Sequence, residues 1–442
     1  MNELDRFLSP DFNAKVFLEC QDNFAKTQHI KSHCVFRQEN LQEDLIGDLI
    51  GDLIGDLHKN PMGENLVGDL QNHKNQNQES EIEFSIVIPT YKRIDTLKQA
   101  IDSALSQDID NANASILSGG GQSQKPNLKK SYEILVVENT DNYPKPSPTQ
   151  ELLESKYKNK ITYYRNEQNL GLLGNFNRAI TLAKGKWVCV LHDDDVLLPH
   201  YLSSMQKAIK QVALNTSLIS HRAIYFGDLS LISYSPTKES SIKAFLKHYA
   251  KPLFLTLKTT KKFLFSCIVS PMLGIKRYKT LDTRDSDYIC KYNPLHPSAL
   301  LHHKDLTLKL GGYDAEFFPS DDWFFHTRAA KFSQVYQLNE FLSKYRYLNN
   351  ASFNTNTLRL GSIVNFLHIR DNIKVSKKIK SILLTKQYQH ILEIKDDAPR
   401  VELLGYMQRL EFKPKKLNKL DEWLYKIYRL GDTELYEVES NI

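Results

Sequence analysis

Between Glu83 and Leu191 the sequence predicts an α/β fold, a mostly parallel sheet wound on both faces by helices. Two observations predict it. Short β-branched runs alternate with segments of helical apolar spacing, and each run ends in a polar cluster. Phe84-Ser-Ile-Val-Ile88, closed by Pro89, reads as a buried first strand. Leu97, Ala100, Ile101, Ala104 and Leu105 give Asp95 to Ser106 the spacing of a helix. Asp108 to Lys130, with Gly119-Gly-Gly121 inside it, reads as a surface insertion. Ile134-Leu-Val-Val137 is a second strand and ends in Glu138-Asn-Thr-Asp-Asn142. A third, Ile161-Thr-Tyr-Tyr164, precedes Asn169-Leu-Gly171 and a helix from about Gly174 to Ala183. The fourth, Trp187-Val-Cys-Val-Leu191, runs straight into His192-Asp-Asp-Asp195. In such sheets ligands bind outside the carboxyl ends of the strands, where all these clusters sit.

The flanking segments differ in character. The chain has 442 residues, enough for two or three domains, with 25% charged and 41% hydrophobic side chains. Lysine and arginine total 58 against 52 acidic residues, a net +6 that is too even to indicate nucleic acid. That total hides a split. Residues 1–80 hold seven basic and fourteen acidic side chains, so the rest carries +13. The acidic arm contains a tandem DLIG repeat from Asp44 to Leu57, echoed at Val67 to Leu70. A glycine every fourth residue costs a helix about 1 kcal/mol each, so the expectation is a weakly ordered insert rather than a docking helix. Gln71 to Ser80 reads as a linker. After Asn350, helical spacing over 360–430 carries lysine-rich runs, Lys374 to Lys380 and Lys413 to Lys419. This basic extension is expected either to pack as accessory helices or to meet an anionic membrane face. No apolar run reaches the ~18 residues of a membrane span, and the start of the chain lacks signal-peptide character. Cys20, Cys34, Cys189, Cys267 and Cys290 form no C-x-x-C pair, which suits a cytoplasmic location.

The first strand leads into Pro89-Thr-Tyr-Lys-Arg93 and not into G-x-G-x-x-G, which argues against a nicotinamide cofactor. Asp193-Asp194-Asp195 is the strongest local signal. Three adjacent carboxylates repel and must be solvated or neutralised, and hard oxygen ligands suit Mg²⁺ or Mn²⁺. Helix capping by one aspartate with solvation of the others is the simpler alternative. A second acidic pair, Asp321-Asp322, precedes the helical Trp323-Phe-Phe-His-Thr-Arg-Ala-Ala330, where helix-dipole stabilisation alone would account for it. Together the two sites make a coherent group-transfer centre, one holding a cation and one acting as base.

FSIVIPTYKR, YEILVVENTDN, NLGLLGNFNRAITLAKGKWVCVLHDDDVLLP and LKLGGYDAEFFPSDDW occur in the order and spacing of family 2 glycosyltransferases with the GT-A fold, and the resemblance covers roughly residues 82–331. It implies inverting transfer of a sugar from a nucleotide-diphosphate donor, a UDP-sugar above all, to an acceptor hydroxyl. It also implies a nucleotide-sugar-binding half at 81–215, an acceptor-binding half at 216–350 and the extension at 351–442. Thr90, Tyr91 and Arg93 resemble the segment around the nucleotide base and ribose. Glu138 stands where the family has a base-binding aspartate, and Arg165 and Asn169 match the stretch lining the nucleotide. Asp193 matches the carboxylate facing ribose, with Asp194 and Asp195 as metal ligands for Mn²⁺ or Mg²⁺; His192 replaces a common aspartate. Asp322 matches the general base, with Asp321 beside it. The family's habits point to a glycan or lipid-linked acceptor in lipopolysaccharide-like surface-glycan synthesis. A silent nucleotide-sugar-binding protein, or a metal-dependent nucleotide-sugar hydrolase or nucleotidyltransferase, are the competing readings.

Other residues read more plainly. His296 and His302-His303 are expected at the surface or in an acceptor pocket, and His326, one turn after Asp322, is placed to orient it. Phe317, Phe318, Trp323, Phe324 and Phe325 divide between core and a sugar-stacking wall. Asn175 and Asn177 either meet ligand or cap their helix.

Overall fold

The computed structural model describes residues 31–38, 82–109, 132–227, 281–284, 295–318, 320–347, 365–370, 375–394, 397–425 and 436–438, with 286, 289, 361 and 363 as single positions. The DLIG repeat, most of the Asp108–Lys130 insertion and Lys374 lie outside them.

One eleven-stranded mixed sheet organises the chain. Its parallel half consists of β2 (Phe84–Thr90), β3 (Tyr132–Glu138), β4 (Thr162–Asn166) and β5 (Trp187–Val190). Every residue of these four strands is buried, so alternate side chains serve opposite faces. Ile86, Ile88, Ile134 and Val136 join one core with Leu97, Ala100 and Ile101 of α1 (Ile94–Leu105), and Leu153 of α2 (Pro148–Lys156) completes that side. Val87, Leu135, Val137 and Val190 join the other with Phe176, Ala179 and Ile180 of α3 (Gly171–Leu182). The four predicted strands and both predicted helices are present, within a few residues at their ends.

The sheet then turns mixed. After the short β6 (Val196–Leu197) and α4 (Tyr201–Ile209) come β7 (Thr216–Gly227), the short β8 (Leu281–Thr283) and β9 (Leu300–His303). The last of these inserts antiparallel between β5 and β7, and β10 (Gln334–Tyr347) pairs parallel with β7. Between β9 and β10 lie α5 (Lys304–Lys309), a 3₁₀ turn at Ala315–Phe317 and α6 (Asp321–Phe332). The nearest departure from expectation is at the amino-terminal side. Ser32–Phe36, within the acidic arm, forms β1 and extends the sheet antiparallel to β4. Arg178 of α3 donates to Ser32 Oγ at 2.6 Å and Gln38 N–H donates to Thr162 Oγ1 at 3.2 Å, so this piece is tied down at both ends.

The extension is partly helical: α7 (Lys377–Leu392) and α8 (Asp397–Arg409) build a third core with Ile363, Phe366 and Leu367. Phe317 and Phe324 belong to the same core, so the extension braces α6. Lys413–Asn418, predicted to be helical, runs without regular structure around Pro414, which cannot donate to a helix ladder. No helix among the described residues is long and apolar enough to cross a membrane. His302 and His303, expected at a surface or pocket, are buried in β9 because that strand lies inside the sheet.

Burial holds His302 and His303 at about 4 and His326 and His368 at about 3, and lowers His192, His221 and His296 too. The unfolded chain takes up these protons near pH 6.5 and the folded chain does not, so acidification below that point favours unfolding. Burial also raises Glu133, Asp193, Asp195 and Asp321, and each works in the opposite sense as pH falls through its own raised value, but these four carboxylates are outnumbered by the seven imidazoles. Folding stability should therefore fall from pH 7 to pH 5, measured as a lower urea midpoint at unchanged slope. A midpoint that rose over this range would contradict the burial of these imidazoles.

Candidate active site

Strand register delivers the polar clusters to one level. Thr90 lies opposite Glu138, Glu138 opposite Arg165, and Val87 opposite Val190, so the segments after β2, β3, β4 and β5 emerge together. At the end of β5 the three aspartates are 8%, 5% and 1% exposed, too dry for solvation to hold their charge. Each has protein partners. Thr90 Oγ1 donates to Asp193 Oδ2 at 2.7 Å, and Arg93 hydrogen-bonds Asp194 Oδ2 while its Nη1 stands 3.7 Å from Asp193 Oδ1. The backbone N–H of Arg346 donates to Asp195 Oδ1 at 2.7 Å, and its Nε donates to the Asp194 carbonyl at 2.7 Å. Burial still pushes Asp193 up to about 6, against the Thr90 hydrogen bond. It raises Asp195 further, helped by the charge of Asp194.

One demand is left unmet. His192 Nε2 and Asp195 Oδ2 are buried with no hydrogen-bond partner, and His192, Asp194 and Asp195 each offer a ligand atom within 4.8 Å of the others. An imidazole nitrogen with two carboxylate oxygens fits a divalent cation. The nitrogen suits Mn²⁺ better than Mg²⁺, which prefers oxygen alone. The sequence singles out Asp194 and Asp195 as candidate ligands; His192, a departure from the usual aspartate, is the third member of this group.

The acidic pair opens α6. Asp321 is buried, and burial first and the charge of Asp322 second push its carboxyl well above the usual range. Asp322 is partly exposed and accepts the Trp323 N–H at 2.7 Å. The Gly311-Gly312-Tyr313 turn before it is clamped twice. Asn177 accepts the Tyr313 N–H at 2.9 Å and donates to the Tyr313 carbonyl at 2.7 Å, and Arg328 of α6 donates to Leu310 O at 2.8 Å. His302 Nδ1 faces the Leu300 carbonyl at 2.9 Å and so carries the hydrogen; its Nε2 accepts the Tyr313 O–H at 2.8 Å. His326, expected to orient Asp322, is wholly buried within α6, and Phe317, Phe324 and Phe325 are core, leaving Phe318 on the cavity wall.

On the nucleotide side, Asp141 gathers Tyr91 Oη at 2.5 Å, Lys92 Nζ at 2.7 Å and Asn169 Nδ2 at 2.9 Å. Those hydrogen bonds, Lys92's foremost, hold its carboxyl far below the usual range. Lys92 itself is left-handed at φ 57°, a conformation this cluster secures. Glu138 and Arg165 are placed differently from the resemblance. They are cross-strand neighbours, both buried; Glu138 Oε2 forms an ion pair with Arg165 Nε at 3.0 Å and accepts hydrogen bonds from Ser147 Oγ at 2.9 Å and the Tyr163 hydroxyl. Neither lines the cavity; Asn139 and Asn175 do, linked through Asn166 Nδ2, which donates to both at 2.8 Å.

Thr90, Tyr91, Arg93, Asn169, Asp193, Asp194, Asp321 and Asp322 all line one cavity of about 630 Å³, a size typical of small-molecule sites. Residues 85–278 match the model of glycosyl transferase family 2. That segment is similar to a family 2 glycosyltransferase domain. An uncharacterized glycosyltransferase of Methanocaldococcus jannaschii is 26% identical over 61% of this chain and 72% of its own length. A GalNAc(5)-diNAcBac-PP-undecaprenol beta-1,3-glucosyltransferase of Campylobacter jejuni is 30% identical over 44% of this chain, and a putative colanic acid biosynthesis glycosyl transferase of Escherichia coli is 25% identical over 39%. The chain spans about half the length of these last two, 54% and 52%. Among solved structures, S. aureus TarS aligns with a TM-score of 0.41 at 14% identity, covering 71% of this chain and 44% of that one. A mannosyltransferase of Pyrobaculum calidifontis in complex with GDP-Man and Mn²⁺ aligns at 0.40 and 12%, covering 87% and 91%.

The turn before the acidic pair depends on Gly312. Its φ is +58°, and an added Cβ would stand 2.4 Å from Asn177 Oδ1. Gly312→Ala should destabilise the fold by about 1–3 kcal/mol through left-handed strain and the displaced clamp. Gly405→Ala in α8, with open space around it, should stabilise by roughly 0.5–1 kcal/mol. Urea titration of both variants checks the pair, and an unaffected Gly312→Ala protein would show that the clamp yields freely.

Proposed function

We propose that the protein transfers a sugar from a nucleoside-diphosphate donor, a UDP-sugar above all, to a hydroxyl of a glycan or lipid-linked acceptor, with inversion. The observation that carries this reading is the presence of Asp193, Asp194 and the α6 acidic pair in one cavity. Asp322 takes the acceptor's hydroxyl proton, the oxygen attacks the anomeric carbon, and the bond to the diphosphate breaks with its electron pair leaving on phosphate oxygen. His192, Asp194 and Asp195 would hold a divalent cation, Mn²⁺ before Mg²⁺, which supplies positive charge for that leaving group. Arg93, already against Asp193 and Asp194, is the nearest basic side chain for the diphosphate. Tyr91 and Asn169 face the nucleotide from the Asp141 cluster, and Asp193 faces its ribose.

The names of the E. coli and C. jejuni relatives favour assembly of a surface or lipid-linked glycan. Exposed Lys413, Lys416 and Lys419 beside exposed Leu420 and Trp423 suit contact of the extension with an anionic cytoplasmic membrane face. An intact acid pair favours transfer over silent binding or hydrolysis alone.

Asp322→Asn separates these readings. With a panel of UDP-, GDP- and dTDP-sugars and Mn²⁺, donor binding by thermal shift should persist while transfer falls roughly 10²–10⁴-fold. Near-wild-type transfer would place the base elsewhere.

A further inference from the structure

The cavity wall beyond the carboxylates is aromatic, and nothing in the donor chemistry accounts for it. Tyr225 of β7 pairs in register with Tyr345 of β10, and Tyr347 follows two residues on, so period-two alternation turns all three rings to one side. Ring centroids stand 5.6 Å apart for Tyr225 and Tyr345, 5.1 Å for Tyr225 and Tyr347, and 5.7 Å for Tyr345 and Tyr347. His296, from the segment before β9, meets Tyr345 edge to face at 4.3 Å. All four residues line the cavity.

Position and chemistry narrow the occupant. Tyr345 and Tyr347 flank Arg346, which holds Asp194 and Asp195, so the aromatic wall starts beside the reaction centre. The nucleotide side, by contrast, is tied to Asp141 after β3. No charged side chain belongs to the wall, and burial keeps His296 neutral, lowered to about 3. An anionic group finds no counter-charge among these four. A pyranose matches them: its C–H face stacks on aromatic rings, and its hydroxyls need neutral donors and acceptors at the rim. His296 Nδ1 is buried without a hydrogen-bond partner, an unfilled polar position within the wall.

We infer that Tyr225, His296, Tyr345 and Tyr347 form a subsite for the terminal sugar ring of the acceptor, the tyrosines stacking on its C–H face and His296 Nδ1 meeting one hydroxyl. The acceptor is thereby a glycan end and not a bare lipid alcohol or phosphate. The word acceptor rests on the transfer reaction proposed above; the sugar subsite itself does not.

Saturation-transfer NMR on the full chain with UDP and Mn²⁺ tests it, using the methyl α- and β-glycosides of glucose, galactose, N-acetylglucosamine and N-acetylgalactosamine, with n-octanol as the sugar-free probe. At least one glycoside should receive transfer at its ring C–H protons. That signal should fall roughly five-fold or more in Tyr345→Ala, Tyr347→Ala and His296→Ala and persist in Tyr345→Phe. UDP affinity, measured on the same samples by calorimetry, should stay within about two-fold of wild type. Transfer to octanol alone, transfer to none of the glycosides, or a glycoside signal indifferent to every substitution overturns the subsite. Since Tyr347 lies at the strand's end, it supplies the readout if Tyr345→Ala fails to fold. Failure of UDP to bind while a tyrosine-dependent glycoside signal persists would remove the donor reading and leave the sugar subsite standing.

Discussion

Three carboxylates in the dry end of β5 are the constraint around which the rest is arranged. Their mutual repulsion and burial would expel them from the fold if each lacked a donor or a cation. Thr90, Arg93 and the backbone N–H of Arg346 meet most of that demand from β2, the β2–α1 connection and β10. Three distant stretches of chain are thereby fastened at one point. The partnerless His192 Nε2 and Asp195 Oδ2 mark where protein donors stop and a cation is called for. Removing one partner would leave a buried carboxylate uncompensated, a change far costlier than the contact itself is worth.

The acidic pair is positioned by other means. Asp321 and Asp322 sit at the start of a helix, where the dipole favours negative charge. The helix is held from three sides: Phe325 and Ala329 against the sheet, Arg328 against the glycine turn, and Phe324 with Phe317 against the extension. The extension thus helps position the acidic pair, whatever surface its lysines meet. Ser320 Oγ, donating to Asn365 Oδ1 at 3.0 Å, ties the two together one residue before the pair.

The parallel half of the fold was legible because its strands are buried on both faces, and such strands are continuous apolar runs that cannot hide in a sequence. The carboxylates at β5 were legible for the related reason that polar clusters at strand ends stand out against those runs. What stayed hidden depends on pairing between distant segments. Ser32–Phe36 is only five residues long, and nothing local announces that it will find β4. Tyr345 and Tyr347 alternate visibly, but Tyr225 joins them only through the β7–β10 register. Glu138 ends its expected strand, and its pairing with Arg165, which only the β3–β4 register reveals, holds it outside the cavity lining. His302 is buried because β9 inserts between β5 and β7, a topological fact that its sequence neighbourhood does not encode.

The central claim is that the β5 cluster joins a divalent cation to a nucleoside diphosphate, and calorimetric titration of UDP with and without Mn²⁺ tests it most directly. In the wild-type chain Mn²⁺ should tighten UDP binding by roughly ten-fold or more, and Asp194→Ala should erase that enhancement while the fold persists. A Mn²⁺ enhancement that survives Asp194→Ala, or UDP binding indifferent to Mn²⁺ in the wild type, would contradict it.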